Sequence, residues 1–222
     1  MRLFDESAKN NGKSAEKNIN GNFFVDQEYL QMKRDMAKKY RILDMDETFD
    51  VESCYKLRYW LETYVREDLK KAKGNEEQFK KIIKENPITI RINSYGGAVH
   101  ELMATDNVIE QMRNMGYIIK TRCTGKAMSC GADLLIQGTI GERSAGRNSI
   151  ILIHQMSAGT YGTTSNMRGD FEGLSIIAEM LDRHYYERTK ITPEIMKEKT
   201  LGGNWYLSAE EALKYGVIDK II

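Results

Sequence analysis

"GKAMSCGADLLIQG", residues 125–138, sets a single serine, Ser129, among small residues where an apolar helix begins. A serine in that position is either a nucleophile or a helix cap. Its hydroxyl attacks a carbonyl at neutral pH only when a positioned base takes its proton, so the question turns on the base. The chain has three histidines, His100, His154 and His184, and histidine is the side chain whose ordinary titration lies nearest pH 7. So few candidates make the test sharp.

Working outward from the serine, "SIILIHQM" (149–156) puts His154 at the end of an apolar run, just before the glycine-containing turn "SAGTYG". On the other side, "INSYGGAV" (92–99) follows the β-branched run "PITIRIN" and precedes a helical segment. Paired glycines at that junction free backbone N–H groups to point at an anion. The Gly97 amide therefore forms one half of a candidate oxyanion hole. The Cys130 amide, first in the helix after Ser129 and without an intrahelical acceptor, forms the other. Each feature has an ordinary explanation by itself: a tight turn, a helix cap, a packed histidine. His100 fits a solvated helix position and His184 a surface or interface position. Cys130 fits the amide-donor role better than that of a nucleophile.

The 33 basic and 32 acidic residues nearly cancel and are interspersed, which leaves no electrostatic footprint for nucleic acid. No stretch approaches the roughly 18 consecutive apolar residues of a membrane span. Cys54, Cys123 and Cys130 are odd in number and lack metal-ligand spacing, and no N-terminal apolar run resembles a secretory signal. The expectation is a cytoplasmic chain with no metal or cofactor, no membrane and no nucleic-acid partner. The 222 residues suit one main domain with an appendage.

The first 22 or so residues are polar and rich in Asn, Lys and Gly, as expected of a flexible arm. "DQEYLQMKRDMAKKY" predicts a short helix and "RILDM" (41–45) a first strand. In "VESCYKLRYWLETYVREDL" the helical spacing of Tyr55, Tyr59 or Trp60, and Tyr64 predicts one packed aromatic face. "KKAKGNEEQFKKIIKEN", with Gly74 in its middle, suggests a charged surface excursion over about 66–86. "YIIKTRCT" is strand-like. Strands alternating with helices predict an α/β fold. Over 166–190, Met167, Phe171, Leu174, Ile177 or Ala178, and Leu181 recur every three to four residues. That spacing predicts a helix of ~37 Å, long enough to project and meet another subunit. "SAEEALKYGVIDKII" opens on a Ser208–Glu211 capping box, and Gly216 ends the helix before a last strand.

From about residue 41 to Ile222 the sequence resembles the proteolytic subunit of the Clp protease, the ClpP-like serine peptidases. "INSYGG" looks like that family's Ser-Pro-Gly-Gly turn, "GKAMSCGADLL" like its nucleophile segment, and "ILIHQMSAG" like its histidine segment. The 25-residue interval from Ser129 to His154 and the ending "YLSAEEALKYGVIDKI" agree with it as well. Four motifs in order are specific where one would not be. The resemblance implies an α/β fold of stacked ββα units with a protruding handle helix. It divides the chain into an arm and short helix (1–40) and a peptidase domain (41–222), with the handle over about 156–200. It further implies a homo-oligomer of heptameric rings in stacked pairs, polypeptide substrates supplied by a ring ATPase unfoldase, and no need for a metal in the peptidase.

There are departures from the family pattern. Tyr95 stands where the family has proline, Cys130 where it has methionine, and Met156 where it has the proline after His-Gln. Four residues before Ser208 the family has an aspartate, and this chain has Asn204. The resemblance thus assigns Ser129 as nucleophile, His154 as base and Asn204 as the group that orients the imidazole, with Gly97 and Cys130 binding the oxyanion. An amide oxygen can hold the ring but cannot stabilise an imidazolium by charge. Two rivals follow: a weak or inactive ring subunit of the same fold, and a crotonase-type acyl-CoA enzyme, whose superfamily shares the architecture and an oxyanion hole.

Overall fold

The computed structural model describes residues 27–222, so the polar arm lies outside the described residues. In chain order the elements are α1 (Gln27–Tyr40), β1 (Ile42–Met45), α2 (Val51–Ala72), α3 (Glu76–Glu85), β2 (Ile88–Ser94), α4 (Val99–Asn114), β3 (Ile119–Met128) and α5 (Cys130–Ile136). They continue with β4 (Arg143–Ala145), β5 (Ile150–Ile153), α6 (Thr164–Arg188), α7 (Pro193–Thr200), β6 (Trp205–Leu207), α8 (Ala209–Lys214) and β7 (Lys220–Ile221). The expected α/β alternation is present.

One parallel sheet runs β1-β2-β3-β4-β7, and its centre is β3, ten residues long. The length of β3 gives the sheet a branch. Its first part, Thr121–Cys123, pairs with β4, while Lys126–Met128 pairs with β5. β6 then adds antiparallel to β5, with Ile153 opposite Trp205. The branch therefore ends at Met128, immediately before Ser129, and β5 delivers His154 to the same end. Ile88, Ile90, Ile92, Ile119 and Cys123 are fully buried along the central strands, so the sheet holds its register by apolar packing.

The helix ends follow local chemistry. Asp50 caps α2 by accepting from the Ser53 N–H at 2.8 Å. Ser208 and Glu211 form the expected box at α8, and Gly216, at φ 70°, turns the chain out of it.

Two expectations need correction. The packed face of α2 is Cys54, Leu57, Leu61 and Tyr64, whereas Tyr55 and Tyr59 are exposed. Tyr55, Tyr59 and Trp60 instead form a chain of ring contacts. Tyr64 is buried with its hydroxyl donating to the Ala37 carbonyl (2.9 Å), whereas Tyr55 and Tyr59 remain at the surface. The segment 66–86 is not a surface excursion either. It comprises the end of α2, a left-handed turn at Lys73 and Gly74, and α3, which inserts Ile83 into the core and sets Phe79 edge-on to Tyr117. Within it, Asp68 is fully buried and takes two hydrogen bonds from the Arg41 guanidinium and one from Tyr117. Apart from Asp68 the charges on this segment lie at its surface, and the sparse apolar positions between them dock it.

α6 has the expected length, 25 residues from Thr164 to Arg188, and only Tyr185 is buried on it. Met167, Phe171, Ile176 and Met180 are exposed, Phe171 at 68%. The C-terminal end of α6 is anchored. The Arg188 guanidinium donates to the Ile136 and Gly138 carbonyls at the end of α5 (2.8 and 2.6 Å), and Arg143 donates to the Arg188 carbonyl (2.7 Å) while gripping Asp219.

Candidate active site

Leaving β3, the chain turns sharply into α5, and the turning residue is Ser129, at φ 53° and ψ −126°. A non-glycine residue there stores strain of about 1–3 kcal/mol, which persists only when the surroundings impose it. They do. The Ser129 N–H donates to the Leu152 carbonyl of β5 (3.0 Å), and its own carbonyl accepts from Ala132 (2.7 Å) and Asp133 (3.2 Å). The Ser129 side chain makes no capping hydrogen bond to α5. The hydroxyl is not used as a cap, which leaves it available for chemistry.

Gly96 lets another stretch of backbone pass against this turn. A Cβ there would lie 2.7 Å from both the Met128 carbonyl oxygen and Ser129 Cβ, and 3.1 Å from the Cys130 nitrogen, and its φ of 100° favours glycine in any case. The same loop is held by the Ser94 hydroxyl, which donates to the Glu47 carbonyl and accepts from the Gly96 N–H. Phe49 pins the next residues: its N–H donates to the Gly96 carbonyl and its carbonyl accepts from Ala98. The Gly97 N–H between them has no acceptor among the described residues. The Cys130 N–H, in the first turn of α5, has no intrahelical one.

Gly97, Ser129, Cys130 and His154 line one cavity of about 480 Å³, so four of the five expected site residues come together. His154 is half-buried. The fifth, Asn204, is exposed and lies outside the cavity wall, and no hydrogen bond joins it to the imidazole. The last pair of the β5–β6 ladder is Ile153–Trp205, so His154 and Asn204 are the first residues beyond the paired strands at the same end. Asp170, on the handle helix, accepts from Thr160 and does not line the cavity.

The remaining candidates sort themselves. Burial pushes the Cys130 thiol up to about 12, so it stays a thiol, donating to the Gly97 carbonyl at 3.3 Å. It is no rival nucleophile. His100 is exposed on α4. His184 is half-buried beside Gln137, 3.0 Å from its amide nitrogen, and burial lowers its pKa.

Sequence reasoning missed the far wall of the cavity, made by Asp133 of α5 together with Leu181, Asp182 and Tyr185 of α6. Burial pushes the Asp133 carboxyl up to about 7, a hydrogen bond with Tyr185 works against that shift, and the nearby Asp182 charge adds to it. The available signal was a carboxylate inside the apolar run "CGADLLIQ", four residues after Ser129 and so on the same helical face.

A family model described as Clp protease matches residues 78–222. The chain belongs to the Clp protease family. It is 36% identical over 138 residues to the ATP-dependent Clp protease proteolytic subunit 1 of Prochlorococcus marinus (strain MIT 9312), a match covering 62% of this chain and 69% of that protein. The ATP-dependent Clp protease proteolytic subunit of Deinococcus radiodurans is 36% identical over 138 residues, covering 62% and 66%. Subunit 3 of Streptomyces coelicolor is 34% identical over 135 residues, covering 61% and 60%. Membership in the Clp protease family makes the chain a serine-type endopeptidase. Among the described residues no helix is long and apolar enough to cross a membrane, and no cluster of ligating side chains could hold a metal ion.

Proposed function

We propose that the chain hydrolyses peptide bonds of unfolded polypeptides with a Ser129–His154–Asn204 triad. The observation that carries this is the strained, uncapped Ser129 sharing one cavity with His154 and the unengaged amides of Gly97 and Cys130. Ser129 Oγ attacks the carbonyl while His154 takes its proton, and the developing oxyanion accepts hydrogen bonds from the two amides. His154 then protonates the leaving amine, and a water repeats the sequence on the acyl-enzyme. The Asn204 amide oxygen accepts from His154 Nδ1–H and holds the ring without supplying charge.

The peptidase domain comprises residues 41–222, preceded by the arm and α1, with the handle over 156–200. The exposed apolar face of α6 is covered by a second copy in stacked heptameric rings, which enclose the serines in a chamber fed by a ring ATPase unfoldase. Three buried, unpaired cysteines suit a reducing cytoplasm.

The exposure of Asn204 and the absence of a hydrogen bond to His154 favour a second reading, a catalytically weak ring subunit. A fluorophosphonate probe separates the two. The active enzyme adds one label, lost in Ser129→Ala, as read by intact-protein mass spectrometry. An assembled but unlabelled chain means that the subunit is structural. Sedimentation tests assembly: a 25.5 kDa monomer at micromolar concentration is incompatible with the ring.

A further inference from the structure

The Gly97 amide serves an oxyanion only while its peptide plane keeps the N–H on the side of Ser129. Gly97 forms an isolated parallel bridge with Phe49. Phe49 spends both its backbone groups on the neighbours of Gly97, donating to the Gly96 carbonyl (2.9 Å) and accepting from the Ala98 N–H (2.7 Å). In such a bridge the N–H and C=O of Gly97 itself face away from Phe49. That opposite side is the side of the nucleophile, because the Gly97 carbonyl there accepts from the Cys130 thiol at 3.3 Å. The Gly96–Gly97 peptide is trans, and its planarity means that holding the Gly96 carbonyl on Phe49 also aims the Gly97 N–H. Both flanking residues are glycines, however, and glycines rotate with little steric resistance. Half a revolution of this peptide would exchange the donor facing the cavity for the Gly96 carbonyl oxygen.

We propose that Ser94 is the positioning residue that prevents this rotation and so keeps the oxyanion hole open. The inference rests on Ser129 being the nucleophile and on the Gly97 amide receiving the oxyanion. Ser94 is the last residue of β2 and only 1% exposed. Its hydroxyl accepts from the buried Gly96 N–H (3.1 Å) and donates to the Glu47 carbonyl (2.5 Å). One side chain thus ties the glycine loop to the stretch that carries Phe49. That stretch is fixed in turn by the start of α2, where the Ser53 hydroxyl donates to the Thr48 carbonyl (2.6 Å) and Asp50 caps the helix. Removing the Ser94 hydroxyl leaves the buried Gly96 N–H without its acceptor, and such a group costs free energy until the chain moves to satisfy it. The cheapest movement is rotation about the two glycines, which misaims the Gly97 amide. An oxyanion exists only along the reaction path, so the loss falls on turnover and not on substrate binding.

The test uses the full chain, a fluorogenic peptide and a peptide boronic acid, whose tetrahedral adduct with Ser129 places an oxygen in the hole. Wild type, Ser94→Ala, Ser94→Thr and Ser94→Val are compared at matched assembly by sedimentation. In Ser94→Ala, kcat falls by about tenfold to hundredfold, short of the loss of a whole oxyanion donor, while KM stays within about twofold. Affinity for the boronic acid falls in the same proportion, and Ser129 still takes one fluorophosphonate label, more slowly. Ser94→Thr keeps the hydroxyl and Ser94→Val has the same shape without it, so threonine exceeds valine by about tenfold in kcat. A Ser94→Ala enzyme with wild-type kcat, or one impaired only through KM, overturns the positioning role and leaves the peptidase standing. Equal activities of the threonine and valine variants mean that Ser94 acts by packing, and overturn it as well. A wild type that neither labels nor cleaves removes the role together with the nucleophile. Should the branched variants fail to fold, the kcat and KM of Ser94→Ala and its boronic acid affinity decide.

Discussion

Replacing Asn204 with aspartate adds one negative charge next to the imidazole that must accept a proton from Ser129. Continued by one residue past its last pair, Ile153–Trp205, the β5–β6 ladder would bring residue 204 opposite His154, and directly opposed residues of an antiparallel pair have Cβ atoms ~5 Å apart. A carboxylate and an imidazolium at ~5 Å attract by about 3 kcal/mol at an effective dielectric of ~20 and by about 0.8 kcal/mol in bulk water. Residue 204 is exposed and His154 half-buried, so the gain lies between these limits. As transition-state stabilisation it corresponds to an increase in turnover of about fourfold to 150-fold. The assay is hydrolysis of a fluorogenic peptide by wild type, Asn204→Asp, and each of these with Ser129→Ala. The increase should appear in kcat, because the charge acts on the imidazolium and not on bound substrate. Sedimentation must show the same assembly for all four proteins. An Asn204→Asp protein that assembles normally and turns over no faster would mean that residue 204 does not face His154, and the triad assignment would fail.

Three further outcomes follow from specific contacts. Gly96→Ala forces a methyl group against the Ser129 turn and should lower kcat at least a hundredfold, whereas Gly74→Ala, with open space at its Cβ, should spare it; equal effects on peptide hydrolysis would show that the turn is not held by Gly96. Asp68→Asn leaves the buried Arg41 guanidinium without its counter-charge and should cost about 3–5 kcal/mol in urea unfolding; a loss below about 1 kcal/mol would put the pair among ordinary surface bridges. The third outcome is a pH dependence. The Asp133 carboxyl is raised from 3.8 to about 7, faced by Tyr185 and Asp182 from α6, Asp106 from α4 and Cys130 from its own helix. Its folded form therefore binds the proton more tightly than the unfolded form, and its contribution to stability is lost as pH rises from about 4 to 7. Asp133→Asn should accordingly gain stability over wild type at pH 8 and not at pH 4; a pH-independent difference in unfolding midpoint would contradict the buried, unpaired acid.

Much of the site was legible because its signals are short. Gly-Gly after a strand, a serine where an apolar helix begins and a histidine ending an apolar run are features of a few consecutive residues, and their order along the chain carried the family resemblance. The handle was legible for the same reason, since one apolar residue every three to four positions is a property of the helix alone. The Ser208–Glu211 box and the Gly216 stop are likewise local. The exposed rings of Tyr55 and Tyr59 were misjudged because periodicity identifies a helical face without saying which neighbouring residues on it pack closest.

What folding alone decided are relations between distant segments. Arg41 meets Asp68 across 27 positions, and Arg143 meets Asp219 across 76; neither pairing follows from local composition. The strain at Ser129 arises because β5 and the Gly96 loop close on it from both sides, so the serine's availability depends on long-range hydrogen bonds. Whether Asn204 could stand beside His154 depended on the antiparallel register of β6 on β5, which a shift of one residue would have reversed in facing. The acid of Asp133 could be read from the sequence as a residue on the serine's helical face. Only the packing of α6 over α5 closes it off from water and sets Tyr185 and Asp182 beside it in the cavity wall.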